Sequence, residues 1–267
     1  MEEDEKSSEL KKFIYSELAV SEILGYIMVL GLIIAAISLV FVQTSSMASD
    51  AQDVVKYRSM VQGFRKIQNV VDYTAYMNNP EKSIRILMNE GRIYIDHDNN
   101  ISLEIRSNNT TQYLYESDMG VIEYAYQNYV IGFENGGVWM RELNQTSMIF
   151  EPRIFIYKKS INNETVVFVA LVKIQGDDFI AGNGFVDLSV LFNSSETRIF
   201  EGGGYVNMDI TSDYASAWED YFETMRGYTN NTVLQTGLNG STVTAQIYFD
   251  RLILTIYSLD VQISLQT

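Results

Sequence analysis

The chain of 267 residues contains no cysteine, which excludes disulfides, thiol catalysis and thiolate metal sites. Its single histidine, His97, rules out multi-histidine metal sites and leaves triad chemistry one candidate base. Basic residues are scarce: 19 Lys and Arg stand against 34 Asp and Glu, for a net charge of −15. A phosphate backbone needs a basic surface, so nucleic acid is not an expected partner. No nucleophile-elbow sequence occurs, and the triple glycine Gly202, Gly203, Gly204 lacks the lysine of a phosphate loop and reads as a turn. These absences point away from an enzyme, and no catalytic residue, cofactor or metal ligand is expected. The hydrophobic fraction of 46% still fits a folded protein, held by its core, by assembly, or by both.

Charge is also missing from the most informative stretch. Residues 23–42 form a run of 20 uncharged residues, 13 of them Ile, Leu, Val or Phe. At about 1.5 Å per residue, such a helix matches the roughly 30 Å hydrocarbon core of a bilayer. No second run of this kind follows. Lys6, Lys11 and Lys12 precede it, and the next basic residue is Lys56. The positive-inside rule then expects a single-pass chain with a cytoplasmic N-terminus and the 225 residues after the span outside the cell. Glycosylation sequons agree with that side. They fall at Asn100, Asn108, Asn109, Asn144, Asn163, Asn193, Asn230 and Asn239, eight where chance placement gives roughly three.

The residues leading into the apolar run are Ala19, Val20, Ser21, Glu22, Ile23, Leu24 and Gly25, after a long charged leader. With them the sequence resembles archaeal type IV pilin-like proteins with a class III signal peptide. The resemblance implies removal of the leader by a membrane prepilin peptidase between Leu18 and Ala19, with the apolar helix retained. It implies that Glu22, Ile23, Leu24 and Gly25 take part in assembly with copies of the chain or other pilins. Glu22 would pair with the freed α-amino group of a neighbouring subunit, since a carboxylate at the membrane boundary needs water or a partner. A second stretch, from Thr211 through Ser212, Asp213, Tyr214 and Trp218 to Phe222, is similar to a segment of uncharacterised archaeal pilin-like secreted proteins.

Beyond the run the helical period continues. Met47, Ala51, Val54, Val61, Phe64, Ile67 and Val71 make one apolar stripe, expected to pack on the head. No strong breaker intervenes before Asn78, Asn79 and Pro80, so a helix from Ala19 to about Met77 would be on the order of 90 Å long. Gly63 is its one weak point.

From Glu81 the period becomes two. Segments 83–88, 91–96, 101–107, 120–126, 129–134, 137–142, 153–159, 165–174, 184–192, 241–250 and 251–259 read as strands bounded by Asn, Gly, Asp or Ser. Asn135 and Gly136 signal a type I′ hairpin. One helix interrupts them, capped by Ser212 or Asp213, carrying Trp218, Tyr221, Phe222 and Met225 on one face and ended by Gly227. Asp96, His97, Asp98, Asn99 and Asn100 alternate oxygen ligands as calcium loops do. Ile101 and Ser107 stand where an EF-hand needs Gly and Glu, so a hairpin turn is the simpler account.

The expected fold is therefore α+β: a leader at 1–18, a long helix at 19–79 spanning the membrane at 23–42, and an antiparallel, sandwich-like or strongly curved β head at 80–267. The expected function is a structural subunit or minor component of a cell-surface filament, located in the membrane and then outside the cell. The alternative is a monomeric, membrane-anchored extracellular binding module.

Overall fold

Helix formers without proline fill the N-terminal quarter of the chain, and the computed structural model folds them as one helix, α1 (Glu2–Tyr76). The structure describes residues 2–77, 80–107, 110–143, 145–161, 163–228 and 234–266, with side chains from Leu24 onward except at 46 and 266. α1 starts well before Ala19, because the charged leader has helical propensity of its own. The chain divides into two compact units, Met1–Lys56 and Tyr57–Thr267.

The first unit consists of α1 alone. Every described side chain from 24 to 52 is exposed, including the apolar run and the stripe residues Met47 and Ala51; Val54 is exposed too. Ser38 and Thr44 donate their hydroxyls to the carbonyls of Ile34 and Val40, at 2.8 and 2.9 Å. Their polar groups are thereby satisfied inside the helix, as an apolar surrounding requires.

In the second unit, residues 57–76 of α1 supply Met60, Phe64, Ile67, Val70, Val71 and Ala75 to a core. The expected stripe thus packs in its C-terminal half only, and the head takes in helix from Tyr57 instead of beginning at residue 80. Gly63 has a packing reason: a Cβ there would stand 2.8 Å from Ile86 Cγ2.

Twelve strands among the described residues form a single sheet. They are β1 (Glu81–Asp96), β2 (Asn100–Ser107), β3 (Thr110–Asp118), β4 (Val121–Tyr126), β5 (Tyr129–Glu134) and β6 (Gly137–Glu142). Then come β7 (Gln145–Phe150), β8 (Ile154–Lys158), β9 (Thr165–Gln175) and β10 (Phe179–Thr211). The helix α2 (Ala215–Tyr228) follows, then β11 (Leu234–Asn239) and β12 (Thr242–Gln266). The order is β7-β6-β5-β4-β1-β10-β12-β9-β8, with β2 on the far stretch of β10, β3 on β2, and β11 on β12. All pairings are antiparallel except β9 with β12.

Several expected breaks are absent. Segments 83–88 and 91–96 form one strand, kinked at Glu90 and Gly91, and segments 241–250 and 251–259 merge into β12. Gly202 and Gly203 lie in a register shift within β10, between Glu201 and Gly204, and make no chain-reversing turn. The 97–99 link is not a hairpin either, because β1 and β2 pair with opposite ends of β10 and not with each other.

That link fixes the curvature. Tyr94 pairs with Phe179 at one end of β10, and Asn100 pairs with Thr211 at the other. Six residues of chain reach about 20 Å at most. β10 has 33 residues and would run roughly 110 Å if straight. It must therefore curl back, helped by register shifts at Phe192/Ser194 and Glu201/Gly204. The head is one curved sheet instead of the two separate sheets of a sandwich.

Two cores result. One gathers Ile101, Leu103, Met208, Leu252 and Leu254 with Trp139 and α2. The other gathers residues 60–75 of α1 with Val186, Leu188, Phe133 and Val261. The hairpin of β4 and β5 separates them, with Ile122, Tyr124, Ile131 and Phe133 facing α1 and Val121 facing α2.

Candidate functional site

The second face of the β4–β5 hairpin carries two carboxylates. Register pairs Glu123 with Gly132 and Val121 with Glu134, and β6 adds Trp139 opposite Gly132, so all five project to one side. Asn135 and Gly136 form the turn that sets the β5–β6 register, both with positive φ, as a type I′ turn needs. Gly132 makes room for Tyr214, whose hydroxyl would lie 2.4 Å from a Cβ at that position.

The segment entering α2 closes over the hairpin. Ser212 Oγ accepts the Tyr214 N–H at 3.0 Å, and the Ser212 carbonyl accepts Ala215 N–H, starting the helix. Tyr214 occupies the cap position, its carbonyl accepting Trp218 N–H, with Ser212 making the turn before it, and α2 runs one residue past Gly227 to Tyr228. Trp218, Tyr221 and Phe222 are buried as expected, with Met225 packed against them. Trp218 lies on Trp139 with ring centroids 4.3 Å apart.

Both carboxylates accept hydrogen bonds on each oxygen. Glu134 accepts from Trp218 Nε1 and Ser212 Oγ, each at 2.7 Å. Glu123 accepts from the Tyr214 and Tyr94 hydroxyls at 2.5 and 2.6 Å. Burial pushes Glu134 up to about 7, although the bonds from Ser212, Trp218 and Asn99 oppose the rise. Burial, then the charge of Glu123, holds the Tyr214 hydroxyl well above its usual range.

In front of these groups lies a cavity of about 120 Å³, lined also by Asp96, Asp98, Asn99 and Asp213. The oxygen-rich 96–99 stretch and the segment 211–214, two separate features of the sequence, therefore meet in one place. His97 does not join them. Its Nε2 lies 2.7 Å from the Gly176 carbonyl and its Nδ1 3.2 Å from Asp118, which also pairs with Lys173 at 2.9 Å.

The N-terminal site residues sit differently. Leu18, Ala19, Glu22 and Ile23 all fall within the backbone of α1. Leu24 is exposed, and nothing lies within 4 Å of a Cβ built on Gly25. α1 is one helix long and apolar enough near the N-terminus to cross a membrane. Of the sequon asparagines, Asn163, Asn193 and Asn239 are exposed and Asn100 is half-buried at the start of β2. Asn108, Asn109, Asn144 and Asn230 lie outside the described residues.

One profile runs across both the helix and the head, matching residues 19–263. The chain belongs to DUF7289, a family of unknown function. The chain is also similar to an uncharacterized protein of Archaeoglobus fulgidus, 24% identical over 254 aligned positions that cover 79% of this chain and 80% of the relative. The crystal structure of the ywiB protein from Bacillus subtilis aligns with 68% of this chain and 96% of its own, at 9% identity. Its TM-score of 0.17 is too low to bear on the fold.

Sequence reasoning did not single out Glu123 and Glu134. A signal was present: each is an acid inside an otherwise apolar strand, VIEYAY and YVIGFE, which in a buried hairpin requires dedicated partners.

Proposed function

We propose that the chain is a pilin-like structural subunit, or a minor component, of an archaeal cell-surface filament. Its leader would be removed before Ala19, its apolar helix would pass from lipid into contact with the helices of neighbouring subunits, and its β head would face the exterior. The observation that carries this reading is the exposure of every described side chain from 24 to 45. A continuous apolar surface of that length needs lipid or other helices around it. Small residues at Gly25, Gly31, Ala35, Ala36 and Ser38 allow close helix approach.

The test is the mature N-terminus of protein recovered from cell surfaces, read by intact mass and N-terminal peptide mapping. A start at Ala19 or Leu18 with the apolar helix kept supports pilin-type processing. A start at Met1 or Glu2 favours a membrane-anchored monomeric binding module, the reading for which the acidic cavity speaks. A start beyond Val42 removes both.

A further inference from the structure

The cavity beside the 97–99 link is lined by eleven residues, of which only Val121 lacks a side-chain oxygen and five are carboxylates. No lysine, arginine or histidine lines it. The Arg141 guanidinium, outside the lining, lies 3.1 Å from the exposed carboxylate of Asp213. A second observation is independent of the charge. Asn99 is 6% exposed, and its Oδ1 has no hydrogen-bond partner. A buried carboxamide oxygen left without a partner costs about 1–3 kcal/mol, so it calls for water or a cation beside it.

We propose that this cavity binds a divalent cation of the calcium class, with Asn99 Oδ1 as an inner ligand and the carboxylates of Asp96 and Asp98 completing the protein share of the shell. Glu123 and Glu134, whose oxygens already accept bonds from Tyr94, Tyr214, Ser212 and Trp218, form the back wall of the cavity and are not ligands. The chemistry selects the ion. Calcium takes six to eight oxygen ligands in flexible geometry, from carboxylates, amide oxygens and water. Zinc and copper sites are built on imidazole or thiolate, and none lines the cavity. Among the described residues no group of three carboxylates or histidines stands ready for a metal. With two carboxylates and one amide as its protein ligands, the shell would be completed by water, which places its dissociation constant in the weak range of roughly 10⁻⁴ to 10⁻³ M. This inference does not depend on whether the chain assembles into filaments.

The experiment titrates the full-length, chelator-stripped protein in detergent with terbium, then displaces terbium with calcium. Trp218 donates a hydrogen bond to Glu134 on the cavity wall, so an ion bound there is close enough for the indole to sensitise its emission. Saturable emission is expected, displaced by calcium at about 10⁻⁴ to 10⁻³ M and not by magnesium at the same concentration. Asp98→Asn and Asn99→Ala should each weaken binding about 10-fold or more. Asp187→Asn, which removes a half-buried carboxylate paired with Arg85 elsewhere on β10, should leave it unchanged. Asp98 is exposed, so its variant tests the site even if Asn99→Ala does not fold. Emission that never saturates overturns the proposal, as does equal weakening by Asp187→Asn, which would mean diffuse surface charge.

Discussion

The indole N–H of Trp218 points at Glu134 Oε1 across 2.7 Å, joining the first turn of α2 to the end of β5. Because Ser212 holds the other oxygen, one carboxylate organises both the start of a helix and the hairpin beneath it. Its ionisation then becomes a property of the whole head.

Glu134 keeps its proton up to about pH 7 in the fold, against 4.5 as a free group. Its pKa is raised by folding, so its contribution to stability is complete below 4.5 and is lost as pH rises towards 7. The loss is about 3 kcal/mol in size. Glu134→Gln should flatten that slope, so that the variant gains on the parent between pH 5 and 8. Denaturant unfolding at both pH values, with chelator present, measures this; an unchanged slope in the variant counts against it.

Gly132→Ala should destabilise the head by about 1–3 kcal/mol, because the new methyl meets the Tyr214 ring and hydroxyl and forces the helix entry outward. Thermal unfolding reads the loss, and a neutral result would mean that Tyr214 is free to move.

Phe64→Ala and Val54→Ala separate the packed half of α1 from the exposed half. Phe64 is fully buried, and its truncation should cost about 3–5 kcal/mol. Val54 is 48% exposed, and its truncation should stay within about 0.5 kcal/mol in the isolated chain. Equal losses would show that the stripe packs along its whole length.

Arg153 forms a two-point contact with Asp72 of α1. Burial raises the Asp72 pKa and Arg153 draws it down. Arg153→Met should therefore cost about 1–2 kcal/mol at neutral pH, after allowance for partial exposure, and less at pH 4, where Asp72 is closer to neutral. A loss independent of pH would assign the effect to packing.

The legible parts of the fold were those with local causes. The long helix, the Asn135–Gly136 turn, the buried face of α2 and most strands follow from period, turn chemistry and propensity. What escaped was set by distant partners. β3, β7 and β11 are short strands with many polar residues, exposed on one or both faces, and only their neighbours make them strands. The stretch 193–204 escaped too, because curvature and bulges break its alternation. The parallel pairing of β9 with β12 leaves no local trace at all. The cavity was half legible: the alternating oxygens at 96–100 were visible, but the carboxylates behind them sit on strands whose register only the fold supplies.

β12 is the last strand of the sheet to be synthesised, yet it lies inside the order, between β10 and β9. It contributes Leu252 and Leu254 to one core and Leu259, Val261 and Ile263 to the other. On a ribosome adding about 5–20 residues per second, the strands from β1 onward emerge on the order of ten seconds before either core can close. For that interval the nascent head carries open apolar edges, so its safe maturation calls for a chaperone or translocation machinery that keeps the chain extended until its end arrives.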